Sequence, residues 1–292
     1  MTSLRLVADV GGTNCRLALA RDGRPDADSI RSVRNRDHDS FAEAATAYLA
    51  DAGVTPDELV VAVAGPVTGR TARLTNWKWR FDAAELSDRF GGARVEFLND
   101  LTALGYSVPM LGPDGLLPVV DISAPDDPRR QSLVMGIGTG FNVSPVIQSP
   151  GSVVCPRAEM GHVGLPLGVA TLLRREIGAV GEGMTTIEDC FSGRGFAALR
   201  DAHPGDDAAF HKVYARLMGT LARDMLLAFM PTSGIHFAGG VARAVLSGEA
   251  ASDFCQTFTQ PFALDGAPSA PVSVILDDAA ALLGCAQLRI AD

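Results

Sequence analysis

A short glycine-containing turn near the N-terminus is the first segment with residue types suited to phosphate chemistry. Residues 9–14 read DVGGTN, so an acidic residue lies near the end of a mostly apolar run and two glycines follow it. Glycine amides can approach an anion closely, and a carboxylate beside bound phosphate is a suitable ligand for a divalent metal ion. A hairpin turn with an aspartate at its edge explains the same residues, so this segment alone leaves both interpretations open.

A second glycine turn repeats this pattern further along the chain. Residues 136–140 read GIGTG, and they lie between two apolar segments, 132–136 and 143–147, that have the character of strands. Two amide-rich turns could contact one polyphosphate from opposite sides, which is a geometry suited to nucleotide-dependent phosphoryl transfer. Glycine turns also end strands in many proteins without binding anything, and the local pattern does not decide between these readings.

Several familiar nucleotide and metal motifs are missing from the chain. A Walker loop needs a lysine after glycine, but the only lysines are Lys78 and Lys212 and neither follows a glycine. A dinucleotide-binding fingerprint needs a third glycine where this chain has Phe141. No two of the five histidines have H-x-x-x-H spacing, so a zinc hydrolase is not indicated either.

The pair Asn99–Asp100 follows a predicted strand at residues 95–98. Ligands of open α/β sheets bind at the carboxyl ends of strands, where an amide beside a carboxylate can hold adjacent hydroxyl groups. The carboxylate could also accept the proton of an attacking hydroxyl. Asn-Asp is equally a common start of a helix, and for this pair in isolation the capping interpretation is favoured.

Three further charged residues occur in otherwise mild surroundings. Glu159, His162 and Glu188 could join Asn99 and Asp100 in a ring of donors and acceptors that binds a polyol. Each also has a structural explanation, since a histidine beside glycine is often only a packed residue and Glu188 could begin a helix. Individually these residues are weak indicators.

The elements that must position these residues alternate between strands and helices, which predicts an α/β fold with partly parallel pairing. Strands are predicted at residues 4–10, 15–20, 30–33, 59–64, 95–98, 132–136, 143–147, 235–238 and 272–276. Helices are predicted after the N-cap Ser40 and at residues 82–90, 208–230 and 278–290. The strand–glycine turn–strand pattern occurs twice, so two similar lobes with a ligand cleft between them are expected.

Composition limits the classes of protein to which the chain can belong. With 292 residues, 47% of them hydrophobic, and a formal charge of −9, it should fold as two domains and does not suit nucleic acid or anionic membranes. No apolar run reaches the roughly 18 residues of a spanning helix, and no signal peptide is recognisable. Five cysteines without a CxxC pair predict reduced, packed thiols and a cytoplasmic location.

A domain boundary is expected in the Gly-, Pro- and Asp-rich region between residues 105 and 130. We therefore predict a small N-terminal lobe at residues 1–105, completed by a C-terminal helix at 278–292, and a large lobe at 106–277.

Taken together, eight motifs resemble those of bacterial glucokinases, in that family's order and over residues 4 to about 288. The motifs are DVGGTNCR (9–16), AGPVTG (64–69), Thr75-Asn76 with Trp79, LNDLTA (98–103), GIGTG (136–140), EMGH (159–162), SGRG (192–195) and AGG (238–240). The resemblance implies an actin-like, ribonuclease-H-like ATPase fold with two lobes, in which the C-terminal helix returns to the N-terminal lobe. It also implies transfer of phosphate from Mg-ATP to the 6-hydroxyl of glucose.

The resemblance assigns roles to the polar residues described above. It makes Asp100 the general base and also a sugar ligand, together with Asn99, Glu159, His162 and Glu188. Asp9 would hold Mg²⁺ through water. The phosphate-binding residues would be Gly11, Gly12, Thr13, Asn14, Gly138, Thr139 and Gly140, and Gly239 with Gly240 would border the adenosine.

Two departures from the family pattern affect these expectations. Family members usually read GxGTGLG, whereas this chain has Phe141 and Asn142; asparagine tolerates a positive φ, so the turn is expected to form, with ATP affinity left open. Met160 replaces a glycine that many members have before His162, which leaves the identity of the hexose open. No Cys-rich motif follows His162, so no zinc site is expected.

Two alternative functions therefore stay open at the level of sequence. One is a kinase for another hexose or an amino sugar, and the other is a sugar-binding regulator that has lost catalysis. A homodimer is the default expectation for the assembly.

Overall fold

The computed structural model describes residues 3–290, and the chain divides into two compact units. Unit 1 runs to Leu111 and is completed by the chain from Asp278 onward, whereas unit 2 is Gly112–Asp277. The expected border at residues 105/106 falls inside a helix, Asp100–Ser107, that packs within unit 1. The change of unit occurs instead after this helix, because its buried face belongs to the unit 1 core.

Unit 1 is built on a six-stranded sheet of order β3-β2-β1-β5-β9, with β4 paired to β2, and on a small antiparallel sheet β6-β7-β8. The strands are β1 (Arg5–Val10), β2 (Asn14–Arg21), β3 (Arg24–Pro25), β4 (Arg31–Arg34), β5 (Glu58–Val63), β6 (Val67–Thr68), β7 (Thr71–Arg73), β8 (Arg80–Asp82) and β9 (Arg94–Asn99). The helices up to Leu111 are α1 (Phe41–Ala52), α2 (Ala83–Arg89) and α3 (Asp100–Ser107).

The predicted helix starts in unit 1 are confirmed by their caps. The Ser40 side chain accepts a hydrogen bond from the Glu43 amide, and α1 ends at Gly53, whose φ of 65° is the left-handed conformation that glycine adopts easily. Asp82 caps α2 by accepting from the amides of Ala84 and Glu85. These caps satisfy amides that have no partner inside the helix.

Unit 2 repeats the central arrangement in a sheet of order β10-β15-β14-β11-β12-β13. Its strands are β10 (Leu116–Val120), β11 (Arg130–Ile137), β12 (Phe141–Ser149), β13 (Ser152–Val154), β14 (Gly234–Ala238) and β15 (Val272–Ile275). Its helices are α4 (Leu167–Ile177), α5 (Ala179–Glu182), α6 (Ile187–Cys190), α7 (Gly193–Ala202), α8 (Asp207–Phe229), α9 (Gly240–Leu246) and α10 (Ala251–Phe258). The long helix α8 supplies much of the core, including Tyr214 and Phe210, which are both fully buried.

The two sheets share one topology. In each, a hairpin (β1–β2 or β11–β12) is followed by parallel strands on the other side of its first strand, namely β5 and β9 or β14 and β15. This confirms the α/β class and the internal repetition predicted from the sequence.

The expectation that residues 105–130 form only a boundary is wrong for Leu116–Val120. This segment is β10, an edge strand that pairs antiparallel with β15 and has a register shift between Pro118 and Val120. Proline interrupts strand ladders except at sheet edges and bulges, which is why the proline-containing run did not indicate a strand.

The last helix, α11 (Ala280–Gln287), returns to unit 1, as the resemblance implies. It packs against α3 so closely that a Cβ on Gly284 would lie 1.7 Å from the Ala103 carbonyl oxygen. The Arg5 guanidinium donates hydrogen bonds to the carbonyls of Cys285 (3.0 Å), Ala286 (2.8 Å) and Leu288 (2.7 Å). A single cation on β1 thus binds two carbonyls in the last turn of the helix and one just beyond it, where carbonyls have no partner from the helix itself.

The five cysteines are all free thiols, and all but Cys255 are buried, as predicted. Burial raises the pKa of Cys155 to about 12, which keeps this thiol protonated. None of the helices within residues 3–290 combines the length and apolar character that crossing a membrane requires.

Gly284→Ala should destabilise the protein because the new methyl group would overlap the Ala103 carbonyl. Overpacking of this kind costs about 1 to 3 kcal/mol, which thermal or urea unfolding would detect. Gly248→Ala is the control, since nothing lies within 4 Å of a Cβ at that position. Equal stability of the two variants would contradict the close packing of α11 on α3.

Candidate active site

In unit 1, the polar residues predicted from the sequence lie at one edge of the sheet. Because β1, β5 and β9 are parallel, their carboxyl ends share this edge, and Val10, Val63 and Asn99 stand in one row. Neighbouring strands are about 4.8 Å apart, so the backbones of β1 and β9 lie roughly 10 Å from each other. Asp9 and Asp100 are therefore held near one another by the register of the sheet.

The first glycine turn is fixed by a residue that sequence reasoning missed. Asn35 is fully buried. Its backbone amide donates to the Thr13 carbonyl at 2.9 Å, and its side-chain Nδ2 donates to the Gly11 carbonyl at 2.8 Å. The turn also closes on itself, since the Gly11 amide donates to the Asn14 carbonyl at 3.0 Å. Only the occurrence of a lone asparagine after β4 could have suggested this contact.

Gly12, Thr13 and Asn14 line a cavity of about 540 Å³ within unit 1. The other lining residues are Arg34, Arg36 and Trp77. The turn that the sequence singled out therefore borders open space next to cationic side chains, which suits an anionic ligand.

Asp9 carries an unusual electrostatic environment. Its side chain is 22% exposed, and burial, with a smaller contribution from the charge of Asp100, raises its pKa to about 6. Arg16, which is paired with Asp9 across the hairpin, opposes this shift from 3.8 Å and also donates to the Asp278 carbonyl. The charge of Asp100 therefore opposes ionisation of Asp9 even though Arg16 is nearby, and a divalent cation would relieve this repulsion.

Asn99 and Asp100 both lie at the start of α3 and bind its first free amide. Asn99 is the N-cap of α3, with its Oδ1 accepting from the Leu101 amide at 3.1 Å and its Nδ2 donating to Gly65. Asp100 is the first residue of the helix, and its Oδ1 also accepts from Leu101, at 2.9 Å. Burial raises the pKa of Asp100, opposed by these amides and by Asn99, so its carboxylate is a stronger base than one in water.

The second glycine turn, in unit 2, has the predicted position between β11 and β12. The Gly138 amide donates to the Gly140 carbonyl at 3.0 Å, and the Gly193 amide donates to Gly138 at 2.6 Å. Gly239 borders this turn with a φ of 96°, and a Cβ there would lie 2.3 Å from the Ile137 carbonyl oxygen. Since β11 and β14 are parallel neighbours, the segments 138–140 and 239–240 share one sheet edge.

The turn forms without the positive φ at Asn142 that asparagine was expected to supply. Within residues 3–290, the only non-glycine residues with positive φ are Asp22 and Met230. Asn142 lies instead in β12, paired with Gly136. The backbone therefore needs no glycine at this position.

Glu188 lies next to this turn and in the first turn of α6, whose N-cap is Thr186. Thr186 and Asp189 form a capping box on α6, and hydrogen bonds from the Thr186 and Thr185 amides lower the pKa of Asp189 to about 2. Glu188 Oε2 accepts from the Phe141 amide at 3.2 Å, and the Glu188 amide donates to Gly161 at 2.9 Å. Glu188 thus links the glycine turn to the segment that contains Glu159 and His162.

Glu159 and His162 are both exposed and lie in one loop of unit 2. Asn142 reaches this loop, because its Nδ2 donates to the Ala158 carbonyl at 2.8 Å and lies 3.4 Å from Glu159 Oε2. The sequence marks Asn142 only as a change in the glycine turn, and no periodicity or motif indicates this contact.

The structure therefore brings the predicted residues together in two groups, one within each unit. Unit 1 contains Asp9, Gly11, Gly12, Thr13, Asn14, Asn99 and Asp100 at one sheet edge, and unit 2 contains Gly138, Thr139, Gly140, Glu159, His162, Glu188, Gly239 and Gly240. In the part of the chain that the structure describes, no three His, Cys, Asp or Glu side chains form a metal-binding cluster. Mg²⁺ often uses only one or two carboxylates with water and substrate phosphate, so the Asp9 edge fits that ion.

Known proteins resemble this chain along nearly its whole length. The family model described as Glucokinase matches residues 6–290. The glucokinase of Marinobacter nauticus is 30% identical, with the match covering 97% of this chain and 96% of that protein. The glucokinase of Caulobacter vibrioides is 31% identical over 97% of this chain and 94% of its own length.

Solved structures show the same fold. A glucokinase from an Antarctic psychrotroph superposes with a TM-score of 0.82 at 25% identity and 98% coverage of both chains. A ROK-family glucokinase from Streptomyces griseus, solved with glucose and AMPPNP, has a TM-score of 0.60 at 20% identity and covers 97% of this chain and 98% of its own. These findings show that the chain has the actin-like ATPase fold and belongs to the glucokinase family of sugar-phosphorylating enzymes.

Proposed function

We propose that the protein transfers the γ-phosphoryl group of ATP to the 6-hydroxyl of glucose, giving glucose 6-phosphate and ADP. Membership of the glucokinase family supports sugar phosphorylation. The observation that supports the finer proposal is the partly desolvated Asp100 carboxylate beside Asn99 at the carboxyl end of β9. A carboxylate in this position can act as the base that such a transfer uses.

In this mechanism, Asp100 accepts the proton of the 6-hydroxyl while that oxygen attacks the γ-phosphorus. The new bond joins the sugar oxygen to phosphorus, and the bond from phosphorus to the β–γ bridging oxygen breaks, so ADP leaves with that electron pair. Asn99, Glu159, His162 and Glu188 hold the other sugar hydroxyls and orient the reacting one. The rate then depends on positioning and on charge neutralisation more than on covalent chemistry.

The nucleotide contacts follow the two glycine turns. The proposed phosphate ligands are Gly11, Gly12, Thr13, Asn14, Gly138, Thr139 and Gly140, and Gly239 with Gly240 would border the adenosine. Asp9 would hold Mg²⁺ through water, and its burial near a second carboxylate supports this role. When bound, the ion neutralises negative charge on the phosphates.

A kinase for another hexose or an amino sugar is the second candidate. It is favoured by Met160, a large side chain that follows the proposed sugar ligand Glu159 and is half-buried against the unit 2 core. We retain the homodimeric assembly and the cytoplasmic location as predictions from the sequence.

The deciding experiment is ADP release by the purified protein with Mg-ATP and a panel of sugars that includes glucose, mannose, glucosamine and N-acetylglucosamine. We expect kcat/KM to be highest for glucose, with the phosphate on the 6-hydroxyl by ³¹P and ¹³C NMR. A higher value for another sugar would select the second candidate, and sugar-independent ATP hydrolysis alone would contradict both.

Asp100→Asn should lower kcat by at least about 100-fold while the KM for glucose changes little, since the amide can still accept from Leu101 but cannot take a proton. Asp82→Asn in the same unit is the matched control, because asparagine caps α2 as well as aspartate does. Steady-state kinetics on both variants, with thermal unfolding to confirm folding, provide the measurement. A kcat in Asp100→Asn equal to that of the control would remove Asp100 from the mechanism.

The pH profile should reflect the two raised carboxyl pKa values. Asp100 must be ionised to act as a base, so activity is lost as the pH falls through its pKa, which burial places above the ordinary value near 4. Asp9, with a pKa of about 6, also becomes protonated as the pH falls. We expect log(kcat/KM) to fall below neutral pH with a slope greater than 1. A loss of kcat/KM that follows a single protonation centred near pH 4 would contradict this prediction, because it would mean that one ordinary carboxyl group controls activity.

A further inference from the structure

Asn142 holds the backbone on both sides of Glu159. Its Nδ2 donates to the Ala158 carbonyl at 2.8 Å, and its Oδ1 accepts from the Met160 amide at 2.9 Å. The same Oδ1 also accepts from the Val143 amide at 2.8 Å, which fixes the side chain relative to β12. Both polar ends of one amide side chain are thereby used, and Glu159 lies between the two contacted residues.

Met160 anchors the same loop from the other direction. Its side chain is half-buried and packs against the hydrophobic core of unit 2. The Met160 backbone amide donates to Asn142 Oδ1, so these two residues are joined by a hydrogen bond. Two side chains restrict a segment that glycines would leave freer, because glycine has the largest conformational entropy to lose.

We propose that Asn142 is a positioning residue for sugar binding, which acts with Met160 to hold the Ala158–Met160 segment so that Glu159 is ordered before the sugar arrives. The inference rests on the proposed role of Glu159 as a sugar ligand. An ordered ligand loses less entropy on binding, so the expected benefit is a lower KM for the sugar.

Phe141, the residue before Asn142 in β12, orients the second proposed acidic sugar ligand, Glu188, through its backbone amide. The Phe141 amide donates to Glu188 at 3.2 Å, while Phe141 itself is buried and packs on Phe191. The start of β12 therefore positions two carboxylates by different means, a main-chain amide for Glu188 and the Asn142 side chain for Glu159. The side-chain contact can be removed by a substitution that leaves the main chain unchanged, which makes Asn142 the residue to test.

Asn142→Ala should raise the KM for the sugar by roughly 3- to 10-fold, the loss expected from one or two net hydrogen bonds. The KM for ATP and kcat should change less than 2-fold, since the 138–140 turn has its own hydrogen bonds. Gln148→Ala is the matched control, because it removes a half-buried amide from the same strand at a distance from the turn. A rise in the KM for ATP instead of the sugar would show that Asn142 supports the nucleotide turn and would overturn the proposal.

Asn142→Asp serves as a second variant. It keeps the acceptor for the Met160 and Val143 amides, but it replaces the donor to Ala158 and places a carboxylate near Glu159. We expect a KM for the sugar at least as high as in Asn142→Ala. A KM equal to that of the wild type would mean that the donor half of the contact is irrelevant, contrary to the proposal.

A double-mutant cycle tests whether Asn142 and Met160 act on the same loop. If each of these two side chains can partly hold the Ala158–Met160 segment without the other, removing both should have a larger effect than the single changes predict. The Asn142→Ala/Met160→Gly variant should then raise the KM for the sugar beyond the product of the two single effects. Simple multiplication of those effects would show independent action and contradict the coupling.

Hydrogen exchange of the amides in residues 157–162, measured without substrate, gives a readout that does not depend on catalysis. Exchange should be faster in Asn142→Ala than in the wild type or in Gln148→Ala. Unchanged exchange overturns the positioning inference even if the enzyme is active. If the wild-type protein phosphorylates no sugar, the proposed function is refuted. The exchange result still tests whether Asn142 orders the loop.

Discussion

The parallel register of β1, β5 and β9 is the constraint on which the proposed chemistry of unit 1 depends. It places Asp9 and Asn99–Asp100 at one sheet edge, where two carboxylates share a poorly solvated space. Such an arrangement is unfavourable for folding, because burial opposes ionisation of both carboxyl groups and the charge of Asp100 additionally opposes that of Asp9. The fold tolerates it through Arg16 beside Asp9 and the Leu101 amide at Asp100. A site that retains such repulsion is suited to cations and to proton transfer.

Much of this arrangement could be predicted from the sequence because it depends on local patterns. Apolar runs that end in glycine indicated the strands, Ser40 indicated a helix start, and the repeated turn indicated two related units. The β10 strand was missed because Pro118 suits only an edge, and edge position depends on pairing with β15, more than 150 residues away along the chain. Local propensity carries no information about such a partner.

The site residues also divide into those that a local pattern predicts and those that depend on distant parts of the chain. Motifs identified the turn residues, but the contacts that hold them come from side chains distant in sequence. Asn35 fixes the first turn from 24 positions beyond Gly11, and Asn142 reaches Ala158 across 16 positions. Asparagine is common in turns and caps for local reasons, so its type alone does not distinguish a local hydrogen bond from one that connects two loops.

The repeated topology places the same hairpin in two different chemical settings. The last paired residues before each turn are Val10 with Cys15 and Ile137 with Phe141, so the pair Asp9–Arg16 in unit 1 corresponds to Gly136–Asn142 in unit 2. In unit 1 this position carries a carboxylate with a cationic partner, which suits a metal ion and the proton chemistry beside it. In unit 2 the same position is neutral, so its turn offers only amides and a hydroxyl to an anion. Because Asn142 faces a glycine instead of an acid, its side chain is free to bind the loop that contains Glu159.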